Sequence, residues 1–296
     1  MANNYGGLGA LYQIRGELER AEAMYEQSLT INEALGRKVG MASDYGNLGI
    51  LYSTRGEFER AEAMLQQSLV INEALGRKEG MANQYGNLGV LYKDRGELER
   101  AEAMCQKSLA INETIGRKDG MASQYSNLGS LYKSRGEVER AEEMYQKSLA
   151  INEVLGRKVG MASDYGNLGV LYQTKGEPER AEAMYLKSLA THEALGHKEG
   201  MASQYSNLGI LYQIRGEPEN AEEMYQKSLA IYEALGHKEG MASNYGNLGN
   251  LYLTRGELDR AKEMYQKSLL IFRGLKSPLA DQVSRVLNDM CSNNSE

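Results

Sequence analysis

The chemistry this sequence offers is hydrogen bonding. Six asparagines, Asn47, Asn87, Asn127, Asn167, Asn207 and Asn247, recur at intervals of 40 residues, with Gly7 in the corresponding first place. A carboxamide both donates and accepts, so a row of them can satisfy the N–H and C=O groups of an extended chain without demanding a particular side chain. The reactive residue types form no such set. Cys105 and Cys291 are far apart and make no CxxC pair, which implies neither a disulfide framework nor a zinc site. Cys105 also stands where Tyr25, Leu65, Tyr145 and Tyr185 recur, and reads as a core substitute. His197 and His237 share a position otherwise held by Arg37, Arg77, Arg117 and Arg157, and read as variation in a surface loop. Glu137, Glu139 and Glu142 lie beside Arg140 at helical spacing, which suits solvated ion pairs better than a general acid–base couple. No Ser/His/Asp set, metal-ligand cluster or phosphate-cradling glycine loop occurs. The sequence therefore implies no catalysis, no metal and no cofactor. The glycosylation patterns Asn112-Glu113-Thr114 and Asn293-Asn294-Ser295 mean little without a secretion signal.

These residues are positioned by a repeat. There are 33 Gly and 20 Tyr but only 3 Pro, 2 Phe and no Trp, a skew produced by copying one unit. The period is 40 without insertion or deletion, giving units 1–40, 41–80, 81–120, 121–160, 161–200, 201–240 and 241–275. The string GRKVGMASDYGNLG recurs unchanged in two of them, which points to duplication of whole units. Within a unit, Met121, Ala122, Tyr125, Leu128, Leu131 and Tyr132 are three and four apart, the spacing of a helix, here called A. Ser134-Arg135-Gly136-Glu137 breaks it. A second helix, B, carries Ala141, Tyr145, Ser148, Leu149 and Asn152 to Leu155, with Gly156 as its cap. Pro178 and Pro218 fit the first turn of helix B, where a missing N–H is no loss. In the linker 156–160 helix A can begin as early as Lys158. From Lys276 the period fails. Ser277-Pro278 reads as a helix start, and Leu279, Val283, Val286 and Leu287 form one apolar stripe, so 276–296 is expected to be a capping helix and tail.

Net charge is −6 and the pI about 5.4, with 34 basic and 40 acidic residues spread evenly along the chain. That balance excludes nucleic acid and anionic membrane surfaces as partners. No apolar run approaches the roughly 20 residues of a membrane helix, and the opening residues carry no basic or apolar leader. A soluble, cytoplasmic protein is expected.

The string YSNLGSLYKSRGEVERAEEMYQKSLAINE, read from Tyr125, resembles the tetratricopeptide signature. Tyr125 stands at the family's Trp position, with Leu128, Gly129, Tyr132, Ala141, Tyr145 and Ser148 in the others. The match recurs seven times over about 275 of the 296 residues. The family's helix-ending Pro is absent, replaced by Glu153 and its counterparts, and the unit is 40 residues instead of 34, which implies longer helices. This longer unit is similar to those of kinesin light chains, Pins/LGN-type adaptors and bacterial tetratricopeptide proteins. The resemblance implies an all-α, right-handed superhelical solenoid of seven helix pairs with a C-terminal cap, binding a protein or peptide segment in its concave groove.

In such a solenoid helix A lines the groove, which makes the six asparagines a peptide-binding row. With helices roughly 8–10 Å apart and about 3.3–3.6 Å per extended residue, each unit engages about three ligand residues. Gly46, Gly86, Gly166 and Gly246 beside the row are expected to keep the groove wall low for a ligand backbone. Specificity is expected from positions that vary between units, among them Ser130 and Val170 in one row and Lys93, Lys133, Gln173 and Gln213 in the next. Lys93 and Lys133 suit an acidic side chain or a C-terminal carboxylate; two solvated lysines, one beside Asp94, is the alternative. His192, Tyr232 and Phe272 on helix B adjust packing between units or form an apolar contact region. The second functional reading is a self-associating array, a homo-oligomer built through end-to-end or groove contacts.

Overall fold

Glycine closes each of the first thirteen helices. At the end of α7 (Lys118–Ser134), Gly136 takes φ 75°, its N–H bonds Lys133 O at 3.0 Å, and Glu137 N bonds Tyr132 O at 2.9 Å. These are the two bonds of a Schellman close, which needs a left-handed residue that glycine adopts at no steric cost. The same closure follows helix B at Gly116. The computed structural model describes residues 2–293, with side chains described over 2–290, and among these residues there are fifteen helices and no strand.

The chain divides into two compact units after Leu155. The first holds α1 (Ala2–Ile14), α2 (Leu18–Ala34), α3 (Lys38–Thr54), α4 (Phe58–Ala74), α5 (Lys78–Asp94), α6 (Leu98–Thr114), α7 and α8 (Val138–Val154). The second holds α9 (Lys158–Thr174), α10 (Pro178–Leu195), α11 (Lys198–Ile214), α12 (Pro218–Leu235), α13 (Lys238–Thr254), α14 (Leu258–Gly274) and α15 (Leu279–Asn293). Odd-numbered helices up to α13 are helix A of a repeat and even-numbered ones helix B. Each A packs on its own B; within a unit each B packs on the following A, and successive A helices touch. Pro178 and Pro218 sit in the first turns of α10 and α12, as their missing N–H requires.

The core repeats with the sequence. Helix A buries Ala122, Leu128 and Leu131, and helix B buries Ala141 and Tyr145. The small residue of helix B ties the pair together: Ser108 Oγ donates to Ala82 O at 2.7 Å and Ser228 Oγ to Ala202 O at 2.7 Å, both out of reach of water. Cys105 is buried in the tyrosine position, where burial pushes its thiol up to about 12. The side chain of Cys291 and residues 294 and 295 of the second glycosylation pattern lie outside the described residues. Asn112, in the first such pattern, is buried within a helix.

The amphipathic stripe of α15 lies on the last pair, with Val283, Val286 and Leu287 against Leu251, Tyr252 and Tyr265, and Leu279 beside Phe272. The turn leading to it differs from the others. Lys276, at φ 53°, occupies the left-handed place that glycine holds elsewhere, yet its N–H still bonds Arg273 O at 3.1 Å. A side chain in that conformation costs about 1–2 kcal/mol. Lys276→Gly is expected to stabilise the second unit by about 1 kcal/mol net of unfolded-chain entropy, read as a higher urea midpoint.

Candidate functional site

The six asparagines all fall on helix A and all are half-exposed. Asn127 and Asn207 bring Nδ2 only to 3.5 Å from Oε1 of Gln124 and Gln204, one turn earlier. Among the described residues the carboxamides of Asn47, Asn87, Asn167 and Asn247 have no hydrogen-bond partner within the protein. In the first unit Asn47, Asn87 and Asn127 line one cleft of about 470 Å³, with Ile50 and Val90 as apolar wall and Ser123 and Arg117 at the edge. Arg117 is held there by Asn83 Oδ1 at 2.8 Å and Glu79 at 3.2 Å.

Beneath the row runs a second polar series that the sequence reading missed: Asp44, Gln84, Gln124, Asp164, Gln204 and Asn244, all buried. Each precedes an asparagine of the row by three residues and so lies on the same side of helix A. It also explains the glycines. A Cβ on Gly46 would meet Gln84 Nε2 at 3.0 Å, one on Gly86 would meet Gln124 Nε2 at 2.7 Å, and one on Gly166 would meet Gln204 Nε2 at 3.3 Å. These glycines therefore admit the next repeat's glutamine, not a ligand backbone as their exposed-looking sequence context suggests. Gly246 differs, with only Ser268 Oγ near, at 3.6 Å. Where Ser206 replaces glycine, its hydroxyl donates to Asn244 Oδ1 at 2.9 Å. Asp44 accepts from Asn32 Nδ2 at 2.7 Å, and burial raises its carboxyl above the ordinary range.

Ser130, Val170, Lys93, Lys133, Gln173 and Gln213 are all half-exposed. Lys93 Nζ lies 3.4 Å from Ser130 Oγ and 3.6 Å from Asp94. Burial, and then the charge of Lys93, pulls the Lys133 ammonium below the ordinary lysine range. Gln173 and Gln213 face partly inward, accepting from the buried Tyr185 and Tyr225 hydroxyls at 2.8 and 3.0 Å. Their amide N–H groups remain for other partners. His192, Tyr232 and Phe272 are buried, the first two over Gly200 and Gly240. They are packing residues, not a contact region.

The tetratricopeptide repeat family profile matches residues 1–74, 80–153, 120–194 and 200–274. The chain belongs to the tetratricopeptide-repeat family. It is similar to BtubC (BKLC) from P. vanneervenii, at 25% identity and TM-score 0.65 over 74% of this chain and 92% of that one. The apo form of RapI superposes with TM-score 0.71 at 16% identity, covering 93% and 98% of the two chains. The apo form of the quorum sensor NprR from B. thuringiensis gives 0.62 at 15% identity, covering 96% and 86%. No curated protein matches this sequence.

This tetratricopeptide chain joins its repeats through a polar clamp that the sequence also concealed. At the position of Glu142, the glutamates of other repeats reach the next repeat within their unit instead of a solvated partner on their own helix. Glu102 accepts from Tyr132 Oη at 2.7 Å and from the Arg135 guanidinium, and Arg140 Nη2 adds a third contact at 3.3 Å. Glu22, Glu62 and Glu222 repeat the pattern, each with a Tyr and two Arg residues. Glu182 holds Tyr212 and Arg215, and Asn220 stands where the second arginine would be. The arginine that does pair within its own helix, Arg140 with Glu137, is exposed. His237 is also no idle loop residue: its Nδ1 accepts from Gly240 N at 3.0 Å, capping α13. Among the described residues no helix is long and apolar enough to cross a membrane, and no group of three or more His, Cys, Asp or Glu residues is placed to hold a metal.

Proposed function

We propose that this tetratricopeptide array is a protein-interaction scaffold that binds an extended peptide segment along its helix A face. Residues 1–275 are the binding array, and 276–296 its capping helix and tail. Asn47, Asn87 and Asn127 contact the ligand backbone in the first unit, and Asn167, Asn207 and Asn247 do so in the second. The observation that carries this reading is the pairing state of the row. Its carboxamides are half-buried, yet four of the six have no partner in the protein, while just beneath them Asp44 and Asn244 are paired within it and the Gln84 Oε1 is itself buried without a partner. Water covers such groups in the free chain, and a ligand's N–H and C=O can take its place. Lys93, Lys133 and Ser130 in the first unit, and Val170, Gln173 and Gln213 in the second, vary between repeats and discriminate among side chains.

The test starts from peptides of about 15 residues selected from a random library against the full chain. Titration of a selected peptide against N47A/N87A/N127A is expected to show an affinity loss of about tenfold or more, at roughly 0.5–1.5 kcal/mol for each hydrogen bond lost. Unchanged affinity would remove the row from the mechanism. Tetratricopeptide repeats are in general non-catalytic, and nothing in the geometry calls for a reaction.

A further inference from the structure

Two histidines meet at the junction of the fifth and sixth repeats, inside the second unit. His192 stands in the last turn of α10, where Asn32, Asn72 and Asn112 stand in the first unit, and it is 7% exposed. His197 is the residue that precedes α11, in the place of Arg77 and Arg117. Their Nδ1 atoms are 3.1 Å apart and their ring centroids 5.0 Å apart. Gly200 closes the space, since a Cβ there would lie 2.4 Å from His192 and 2.5 Å from His197.

A ring nitrogen of neutral imidazole is either a donor or an acceptor. With both rings neutral, one Nδ1–H donates to the other Nδ1. One added proton still leaves a single hydrogen in that bridge, and the carbonyl end of α10 favours it. A second added proton sets two N–H groups head to head, and one of the two charges then lies at the positive end of α11. Among the described residues no carboxylate forms an ion pair with either ring. On α11, the position that supplies Asp44 to Asn32 in the first unit is Gln204, buried and neutral. Glu199 lies 3.6 Å from His237, Glu193 accepts from Tyr205 at 3.5 Å, and Lys198 is exposed. The charged residues of α9 are Lys158 and the buried Asp164. Burial, and then the neighbouring His197, holds the His192 imidazole below the ordinary histidine range.

We propose that the His192–His197 pair is a pH-sensitive joint, neutral or singly protonated when closed, whose double protonation parts α10 from α11. Asn167 and Asn207 lie on helix A of the two repeats concerned, so opening the joint changes their spacing. That consequence rests on the binding role proposed above, whereas the joint itself does not. In the unfolded chain His192 takes up a proton at about pH 6.5, above the pH at which the folded chain does. The unfolded state thus binds more protons in the interval below, and stability present in full above about pH 6.5 is lost as the pH falls.

The test is thermal unfolding of the full chain and of His192→Asn between about pH 7.5 and about pH 5. Asparagine is the residue of the α4–α5 junction, where Asn72, Arg77, Gly80 and Gln84 stand in the same places, so the variant retains a native-type joint. The parent is expected to lose about 2–4 °C more in Tm on acidification than the variant. In the parent alone, amide exchange over residues 201–206 is expected to accelerate about tenfold relative to residues 241–246. Equal pH dependence of the two proteins, or acid-induced exchange spread evenly over both segments, would overturn the joint. Peptide binding lost in N47A/N87A/N127A with no pH effect at His192 would leave the binding role standing without it.

Discussion

Gly129→Val lowers the stability of the first unit by about 3 kcal/mol, while Gly246→Ala raises that of the second by about 1 kcal/mol. Both glycines lie in the middle of helix A, where glycine is the costlier residue by its lost backbone entropy. What differs is the neighbour. A Cβ on Gly129 would stand 2.7 Å from the Tyr145 ring, and that ring is fully buried between helices, so it has no rotamer to retreat into. Valine adds two further carbons on the same side. Beside Gly246 the nearest atom is Ser268 Oγ at 3.6 Å, an ordinary contact. Urea denaturation, with circular dichroism as the probe, separates the two outcomes by sign. A Gly129→Val protein with an unshifted midpoint would show that helices A and B can slide apart at little cost, and the close crossing would then not be what fixes the pair.

Residues whose neighbours lie in their own repeat were legible in the sequence. Leu128, Leu131, Ala141 and Tyr145 follow helical spacing, and Gly136 and Gly156 mark the chain reversals, so the helix pairs could be drawn residue by residue. The row from Asn47 to Asn247 was legible too, because it repeats once per unit on the face left over from packing. Residues whose partners lie in the next repeat were not. In an array of near copies, Glu102 has Arg140 and Arg135 in the next repeat and the equivalents Arg100 and Arg95 in its own, and periodicity cannot tell which pair meets. Gln84 and Gly46 posed the same ambiguity. Only the offset between helices, set by three-dimensional packing, decides it. A usable signal did exist in the substitutions: Asn244 replaces the glutamine where Ser206 replaces the glycine of the preceding repeat.

Removing one glutamate tests that inter-repeat clamp, and Glu102→Ala is expected to cost about 2–3 kcal/mol, at or below the range for breaking a fully buried pair because this one keeps some access to water. The Glu102 side chain is 18% exposed and that of Arg135 16%. Alanine would leave the Tyr132 hydroxyl without its acceptor and Arg135 with only Glu99 and Glu137, at 3.6 and 3.7 Å. Burial alone would raise the Glu102 carboxyl, but the hydrogen bonds from Tyr132 and Arg135 outweigh it and hold the group below the ordinary glutamate range. Its contribution is therefore full above the unfolded glutamate value of about 4.3 and is lost as the pH falls through the folded one. Glu22, Glu62 and Glu222 are lowered by the same arrangement, so the junctions they span weaken together in acid. Glu102→Gln keeps an acceptor for Tyr132 while removing the titration, and should lose less stability near neutral pH and show a smaller acid-induced loss than the parent. If instead Glu102→Gln and the parent fall in parallel through that range, the clamp's charge contributes nothing and the tyrosine bond alone joins the repeats. Because the stability held by His192 begins to fall below about pH 6.5 and that held by the glutamates only below about pH 4.3, acid should loosen the α10–α11 joint first and the glutamate-clamped junctions afterwards.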